Sequence, residues 1–287
     1  MKILSPAKIN LFLHITDKRP DGYHNLFSLM CRVSLFDTIS LKPGAEEISI
    51  ICSHPKIPLD ETNLAFRAAR LFLNALGTNE SVEISIDKQI PVAAGLGGGS
   101  SNAAAVFLGL NRYYGDPFSL DQLMSMGSRI GADIPFFIFS EPAIVSGIGE
   151  KLEAYKNLKK YKVLLIFPGF GVSTAMVYKN LNLGLTKCKK KLRSILLNKG
   201  GFDAERHLCN DLETVTASNC PDILAAKKAL LSCGASGALM SGSGPTVFGL
   251  FSDSDTARST FHALSQNKKW QLFLCEIITE NTKYITG

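Results

Sequence analysis

The sequence predicts an α+β fold, and three observations lead to it. Stretches with an apolar residue at every second position signal strands, while other stretches with apolar residues at helical spacing signal helices. The two kinds mix without the regular strand–helix–strand rhythm of a doubly wound parallel sheet. The 287 residues are 46% hydrophobic and 20% charged, the balance of a packed globular chain rather than a disordered one.

The elements follow in order. Ile3, Ala7, Ile9, Leu11, Leu13 and Ile15 fall on odd positions, with Lys8, Asn10 and His14 between them. A period of two predicts a half-buried strand whose polar face carries Lys8 and Asn10 pointing the same way. Asp21-Gly22 marks a turn. Residues 38–42 and 48–52 predict two strands around Pro43-Gly44. Residues 63–76 predict a helix with Leu64, Ala68, Leu71, Phe72, Ala75 and Leu76 on one stripe and Gly77 as its stop. Alternation over 82–86 predicts a strand. The run Gly95-Leu96-Gly97-Gly98-Gly99-Ser100-Ser101 leads into an alanine-rich segment, so a helix should begin at or near the serines. Ser119 and Gln122 have the spacing of a capping box for a helix reaching residue 128. Residues 151–160 are polar and lysine-rich, and a domain boundary is expected there, dividing 1–155 from 156–287. Beyond it, 163–167 predicts a strand, and Pro221 opens a helix ending at Gly234. Ser241-Gly242-Ser243-Gly244 lead into a strand over 246–251, a helix over 256–264 follows, and 271–278 predicts a closing strand.

Composition narrows the function. The net charge of +6 suits an anionic small ligand and also permits nucleic-acid binding. Much of it comes from residues 187–193, which read as a solvated face or a nucleic-acid patch. No aromatic residues interleave with those lysines, as base-stacking sites require, so a nucleic-acid partner is not expected. No apolar run is long enough to span a membrane, and the first residues lack the apolar core of a secretion signal. The seven cysteines are odd in number, irregular in spacing and without C-x-x-C. Reduced thiols in a cytoplasmic setting are therefore expected, not a disulfide framework or a zinc site. His14 and His24 lack metal-ligand spacing, and no metal ligands are assigned.

The glycine run at 95–99 before a helix has two readings. Bare glycines and the open N–H groups of a helix start make a phosphate site, or the run is a flexible helix entry. It is not a Walker A motif, because no Gly-Lys-Ser/Thr follows, nor a dinucleotide fingerprint. Ser100 and Ser101 do not sit in a Gly-x-Ser-x-Gly elbow. Asp133, in Gly131-Ala132-Asp133-Ile134-Pro135, could cap a helix, form a local turn or act in catalysis. Lys8 alone could be the solvent face of its strand. Gly147-Ile148-Gly149 reads as a turn.

Together, three motifs in fixed order resemble the GHMP kinase superfamily. They are Pro6-Ala7-Lys8-Ile9-Asn10-Leu11, then Pro91-Val92-Ala93-Ala94-Gly95-Leu96-Gly97-Gly98-Gly99-Ser100-Ser101, then Ser241-Gly242-Ser243-Gly244-Pro245-Thr246. Arg19-Pro20-Asp21-Gly22-Tyr23-His24, the Gly131–Pro135 stretch and Asn210-Asp211-Leu212-Glu213 resemble one branch of it, which phosphorylates the 2-hydroxyl of a CDP-linked methylerythritol. The resemblance implies a two-domain α+β fold with the active site in the interdomain cleft, and ATP with Mg2+ as cofactors. It implies Asp133 as general base with Lys8 as its partner, and residues 91–101 as the triphosphate cradle. It further implies substrate contacts from Asn10, Tyr23 stacked on cytosine, His24 bonded to the base edge, and Thr174 and Tyr178 as the far wall. Three other readings stay open: a GHMP kinase for homoserine or a mevalonate derivative, a nucleotide-binding protein without catalysis, and an RNA-binding protein. The Tyr23-His24 loop disfavours the first, and the joint presence of Lys8 and Asp133 disfavours the second.

Overall fold

The computed structural model of the chain describes residues 1–185, 188, 202–280 and 285–286. Its first element, β1 (Lys2–Lys18), pairs antiparallel with β2 (His24–Ala45) along nearly its whole length. Irregularities between Pro6 and Ala7, and between Asn10 and Phe12, bend the pair. Such bulges re-aim side chains, and here they flank Lys8 and Asn10. From Ser5 to Leu13 every residue is buried. The expected half-buried strand is therefore buried on both faces, and its polar face looks into protein rather than water.

The predicted strand over 38–42 is only the end of the 22-residue β2. The segment predicted over 48–52 becomes the short β3 (Ser49–Ile51), which pairs with β4 (Ser81–Asp87) and not with β2. β2 is the hub of this sheet. Its second half pairs with β4, and its first half pairs with β5 (Ala143–Gly147), which in turn pairs with β6 (Lys151–Ala154). The stretch expected as a polar domain boundary thus begins as a strand.

Four helices cover one face of this sheet. Asn63 caps α1 (Leu64–Leu76) by accepting from the Ala65 amide at 2.9 Å, and Gly77 closes it in the left-handed conformation. α2 (Gly98–Tyr113) starts two residues before the serines. α3 (Leu120–Ser128) carries both bonds of the Ser119–Gln122 capping box. α4 (Ile134–Phe139) is a short helix with Pro135 in its first turn. Phe72, Phe107 and Phe136 pack with Leu41 and Ile84 in the core between helices and sheet.

β7 (Lys162–Phe167) opens a second antiparallel sheet with β9 (Gly237–Met240), β10 (Val247–Phe251) and β11 (Gln271–Ile278), while the two-residue β8 (Cys209–Asn210) pairs parallel with β1. Helices Pro221–Ser232 and Ser254–Leu264 cover its outer face. β11 joins the two sheets: residues 271–276 pair with β7, and Ile277 and Ile278 pair with Val33 and Arg32 of β2. A shared core of Ile9, Leu11, Phe12, Val163, Leu165 and Phe248 runs beneath the junction.

The thiols depart from expectation. Cys188 and Cys209 form a disulfide, 21 residues apart in sequence, while Cys31, Cys52, Cys220, Cys233 and Cys275 are free. Apart from Cys188, the lysine-rich segment 187–193 lies outside the described residues. No helix among the described residues is long and apolar enough to cross a membrane.

Candidate active site

The glycine run forms a loop clamped from two sides. The Lys8 amide donates to the Leu96 carbonyl at 2.9 Å, tying the loop to β1. On the other side the Ser241 hydroxyl donates to the Gly95 carbonyl at 3.0 Å, and the Thr246 amide donates to the Ala94 carbonyl at 3.3 Å. The three motifs, far apart in sequence, thus meet at one loop. Gly95 is required there: it sits at φ +77°, and a Cβ on it would stand 2.2 Å from the Ser241 carbonyl oxygen.

The loop ends at Gly97, which starts α2 in the left-handed conformation with no side-chain cap. The first amides of this 16-residue helix are therefore left to an outside acceptor, with the positive end of the helix dipole behind them. Beneath the loop, Asp37 is fully buried. It accepts from the amides of Gln89 and Ile90, both at 2.8 Å, from the Asn102 side chain at 2.9 Å, and from the Lys88 ammonium. One carboxylate on β2 so fixes both the entry to the loop and, through Asn102, the N-terminal part of α2.

Lys8, on the buried polar face of β1, points into a cleft of about 800 Å³. Its ammonium donates to Asn10 Oδ1 at 2.7 Å and lies 3.5 Å from Asp133 Oδ2. Their side chains are 6% and 39% exposed. Asp133 precedes α4 with φ −85° and ψ −10°, and its carboxylate makes no capping bond. It is not consumed as a helix cap, and it faces the lysine.

The same cleft is lined by Asn10, Tyr23, His24, Thr174 and Tyr178, by Pro91, Val92, Ala93, Ala94 and Leu96, and by the loop glycines with Ser100. Tyr23 is 62% exposed at its rim. Its loop is held by Asp21, which accepts from the Tyr23 amide at 3.1 Å and pairs with Arg19. The rings of His24 and Tyr178 lie 5.4 Å apart, tilted by 34°. Burial, followed by the charge of Lys18, holds the His24 pKa below its ordinary value against the opposing charge of Asp17. The neutral imidazole offers one donor and one acceptor. Burial, and next the Asp133 carboxylate, push the Tyr178 phenol up, so its hydroxyl stays a donor. Thr174, in the first turn of α5 (Thr174–Lys179), shares a hydrogen bond of 2.8 Å with Ser243.

Ser101 departs from the set. It is buried, and its hydroxyl accepts from Ser5 of β1 at 2.8 Å, where it borders a second cavity of about 390 Å³. Ser100 lines the cleft, whereas Ser101, about 100° further round the helix, does not. Sequence reasoning missed Lys88, which lines the cleft against the first turn of α2: a Cβ on Gly98 would stand 2.8 Å from its Nζ. A lone lysine after a strand carries no signal of that. It also read 147–149 only as a turn, although Ile148 and Gly149 line the cleft. His14, Cys188 and Asp211 come together despite lacking motif spacing. The Cys188 sulfur is committed to Cys209, and the Asp211 oxygens accept from the amides of Ile15 and Cys188 and pair with His14.

The chain matches two family models, the GHMP kinases N terminal domain over residues 63–141 and the GHMP kinases C terminal over residues 191–269. It is 47% identical over 278 residues to the 4-diphosphocytidyl-2-C-methyl-D-erythritol kinase of Syntrophotalea carbinolica, covering 96% of this chain and 99% of that protein. It is 46% identical to the kinase of the same name from Syntrophus aciditrophicus, covering 95% and 98%. A crystal structure of 4-(cytidine 5'-diphospho)-2C-methyl-D-erythritol kinase superposes with a TM-score of 0.80 at 33% identity, covering 96% of this chain and 99% of that one. A homoserine kinase from Cytophaga hutchinsonii shares the fold, with a TM-score of 0.75 at 16% identity over 98% of this chain and 95% of that one.

Proposed function

This chain belongs to the GHMP kinase family, and on that premise we infer that it acts as its relatives are named. It transfers the γ-phosphoryl group of ATP to the 2-hydroxyl of 4-diphosphocytidyl-2-C-methyl-D-erythritol, giving the 2-phosphate and ADP, in the non-mevalonate route to isoprenoid precursors. The observation that best supports a catalytic role for the cleft is the Lys8–Asp133 pair, 3.5 Å apart beside the uncapped start of α2.

We assign the roles as follows. The backbone amides at the start of α2 and the glycines of the 91–100 loop hold the triphosphate, since bare N–H groups at a helix start suit an anion. The acceptor hydroxyl sits on a carbon that also bears the methyl group, so it is tertiary and crowded. Positioning therefore matters more for it than for an open alcohol. Asp133 accepts its proton late, as the oxygen bonds to phosphorus. The Lys8 ammonium, fixed by Asn10, stabilises the negative charge on the transferring group. Tyr23 stacks on the cytosine, the neutral His24 bonds its edge, and Tyr178 with Thr174 closes the far wall. Asp133 is the only carboxylate among the described residues lining the cleft, and it is the base. A hard cation there would be held by phosphate oxygens, water and the Ser100 hydroxyl, which fits Mg2+ carried in with ATP. Bound so, Mg2+ would neutralise charge on the phosphates. The two-domain division at 155/156 belongs to this proposal, supported by the second sheet opening at Lys162. So does a cytoplasmic location, where ATP is supplied.

Asp133→Asn tests the assignment. Turnover should fall by on the order of 10²–10⁴-fold, the usual contribution of a positioned base. Calorimetric binding of ATP and of the CDP substrate should persist. Loss of binding together with turnover would remove Asp133 from the role of base.

A further inference from the structure

We propose that Ser28 is a positioning residue for the phosphoryl transfer, setting the orientation of the Asn10 amide and, through it, the place of the Lys8 ammonium. The inference rests on the role given above to Lys8 and Asp133. Ser28 lies on β2 opposite Leu13 and is fully buried. It does not border the cleft.

Donor counting fixes the direction of the chain. A serine hydroxyl has a single hydrogen, and Ser28 gives it to the Phe12 carbonyl at 2.6 Å. Its oxygen is left as an acceptor, and the Asn10 Nδ2 group donates to it at 2.9 Å. With the NH2 side of the amide held there, Asn10 Oδ1 faces the opposite way and accepts from Lys8 Nζ at 2.7 Å. The other amide orientation would turn two donors toward an ammonium that has only donors to offer. Lys8 and Asn10 are 5% and 2% exposed, so little water is at hand to replace a lost acceptor. The ammonium that faces Asp133 is thus aimed by a hydroxyl two hydrogen bonds away. Ser28→Ala removes the acceptor that distinguishes the two ends of the amide. The NH2 end of Asn10 is then left buried without its acceptor, so the amide is free to shift and the Oδ1 that holds the ammonium is no longer fixed in place.

The test is a double-mutant cycle on the full chain, with steady-state kinetics for wild type, Ser28→Ala, Lys8→Ala and the double variant, and a thermal melt of each. Ser28→Ala should lower kcat by about tenfold to a hundredfold, the scale expected for an ångström-sized misplacement, with KM for both substrates within about twofold. In the Lys8→Ala background the same change should alter kcat by less than about twofold, because coupled residues are not additive. Equal losses in both backgrounds would make Ser28 a structural residue and overturn the proposal, as would unchanged kcat in Ser28→Ala. Near-normal kcat in Lys8→Ala alone would instead overturn the role of Lys8, whatever Ser28→Ala does. If Ser28→Ala gives no cooperative melt, Ser28→Cys, close to serine in size and a weak hydrogen-bonding group, takes its place with the same expectation of coupling.

Discussion

At the scale of single residues, the site depends on groups that would look ordinary alone. Lys8 could have been a surface lysine and Asp133 a helix cap. The buried face of β1 and the absence of a capping bond rule out both bland readings. The sequence made this pair legible only through the three ordered motifs, because nothing local joins positions 8 and 133. Ser28 and Asp37 were not legible at all, since a serine or aspartate inside a strand does not reveal that its partners lie on other elements. His24 gives a pH prediction. Its pKa is depressed, first by burial, so the neutral ring persists to lower pH than a free histidine with pKa about 6.5. KM for the CDP substrate should stay flat through pH 6.5 and rise only below it, measured with ATP saturating. The same depressed pKa means the folded state binds fewer protons than the unfolded chain in that window, so stability falls as pH drops through it. A KM that already rises on acidification from pH 8 to 7 would contradict a neutral His24 at the base edge.

At the scale of elements, helices were read better than strands. Caps and stops are written in the chain: Asn63 and Gly77 bound α1, and Ser119 with Gln122 opens α3. β11 was read over the same residues, 271–278, that it occupies. β2 was read only at its far end. Residues 27–33 are buried on both faces, so they show no alternation for a period of two to detect. α2 begins two residues before the serines, near where it was expected, on glycines that are poor helix formers and that leave open amides at the loop. Asp37 is the element-scale device that holds this loop. Asp37→Ala would leave the Lys88 ammonium buried without its partner and two backbone amides without an acceptor. We expect a loss of about 3–5 kcal/mol in unfolding free energy by urea titration, the cost of breaking a buried ion pair from one side. A loss under about 1 kcal/mol would mean that the loop is held elsewhere.

At the scale of the whole molecule, the fold class and the order of motifs were readable, while the joining of the halves was not. β11 completes β2 with its last residues after pairing with β7, and the core of Ile9, Phe12, Val163 and Phe248 belongs to both sheets. Such contacts lie over a hundred residues apart and leave no periodic trace. The disulfide was missed for a similar reason, since Cys188 and Cys209 have no motif spacing and are brought together only by the fold. A shared core predicts one cooperative calorimetric unfolding transition for the full chain, and two well-separated transitions would contradict it. The cleft exists only because three motifs from both halves close on one loop. The acceptor it takes is therefore the most direct test of the central claim. The measurement is ADP release by the purified chain with Mg-ATP, comparing CDP-methylerythritol, homoserine and mevalonate. Release with the CDP-linked acceptor alone is the predicted result. Release with homoserine or mevalonate, and none with the CDP-linked acceptor, would contradict it.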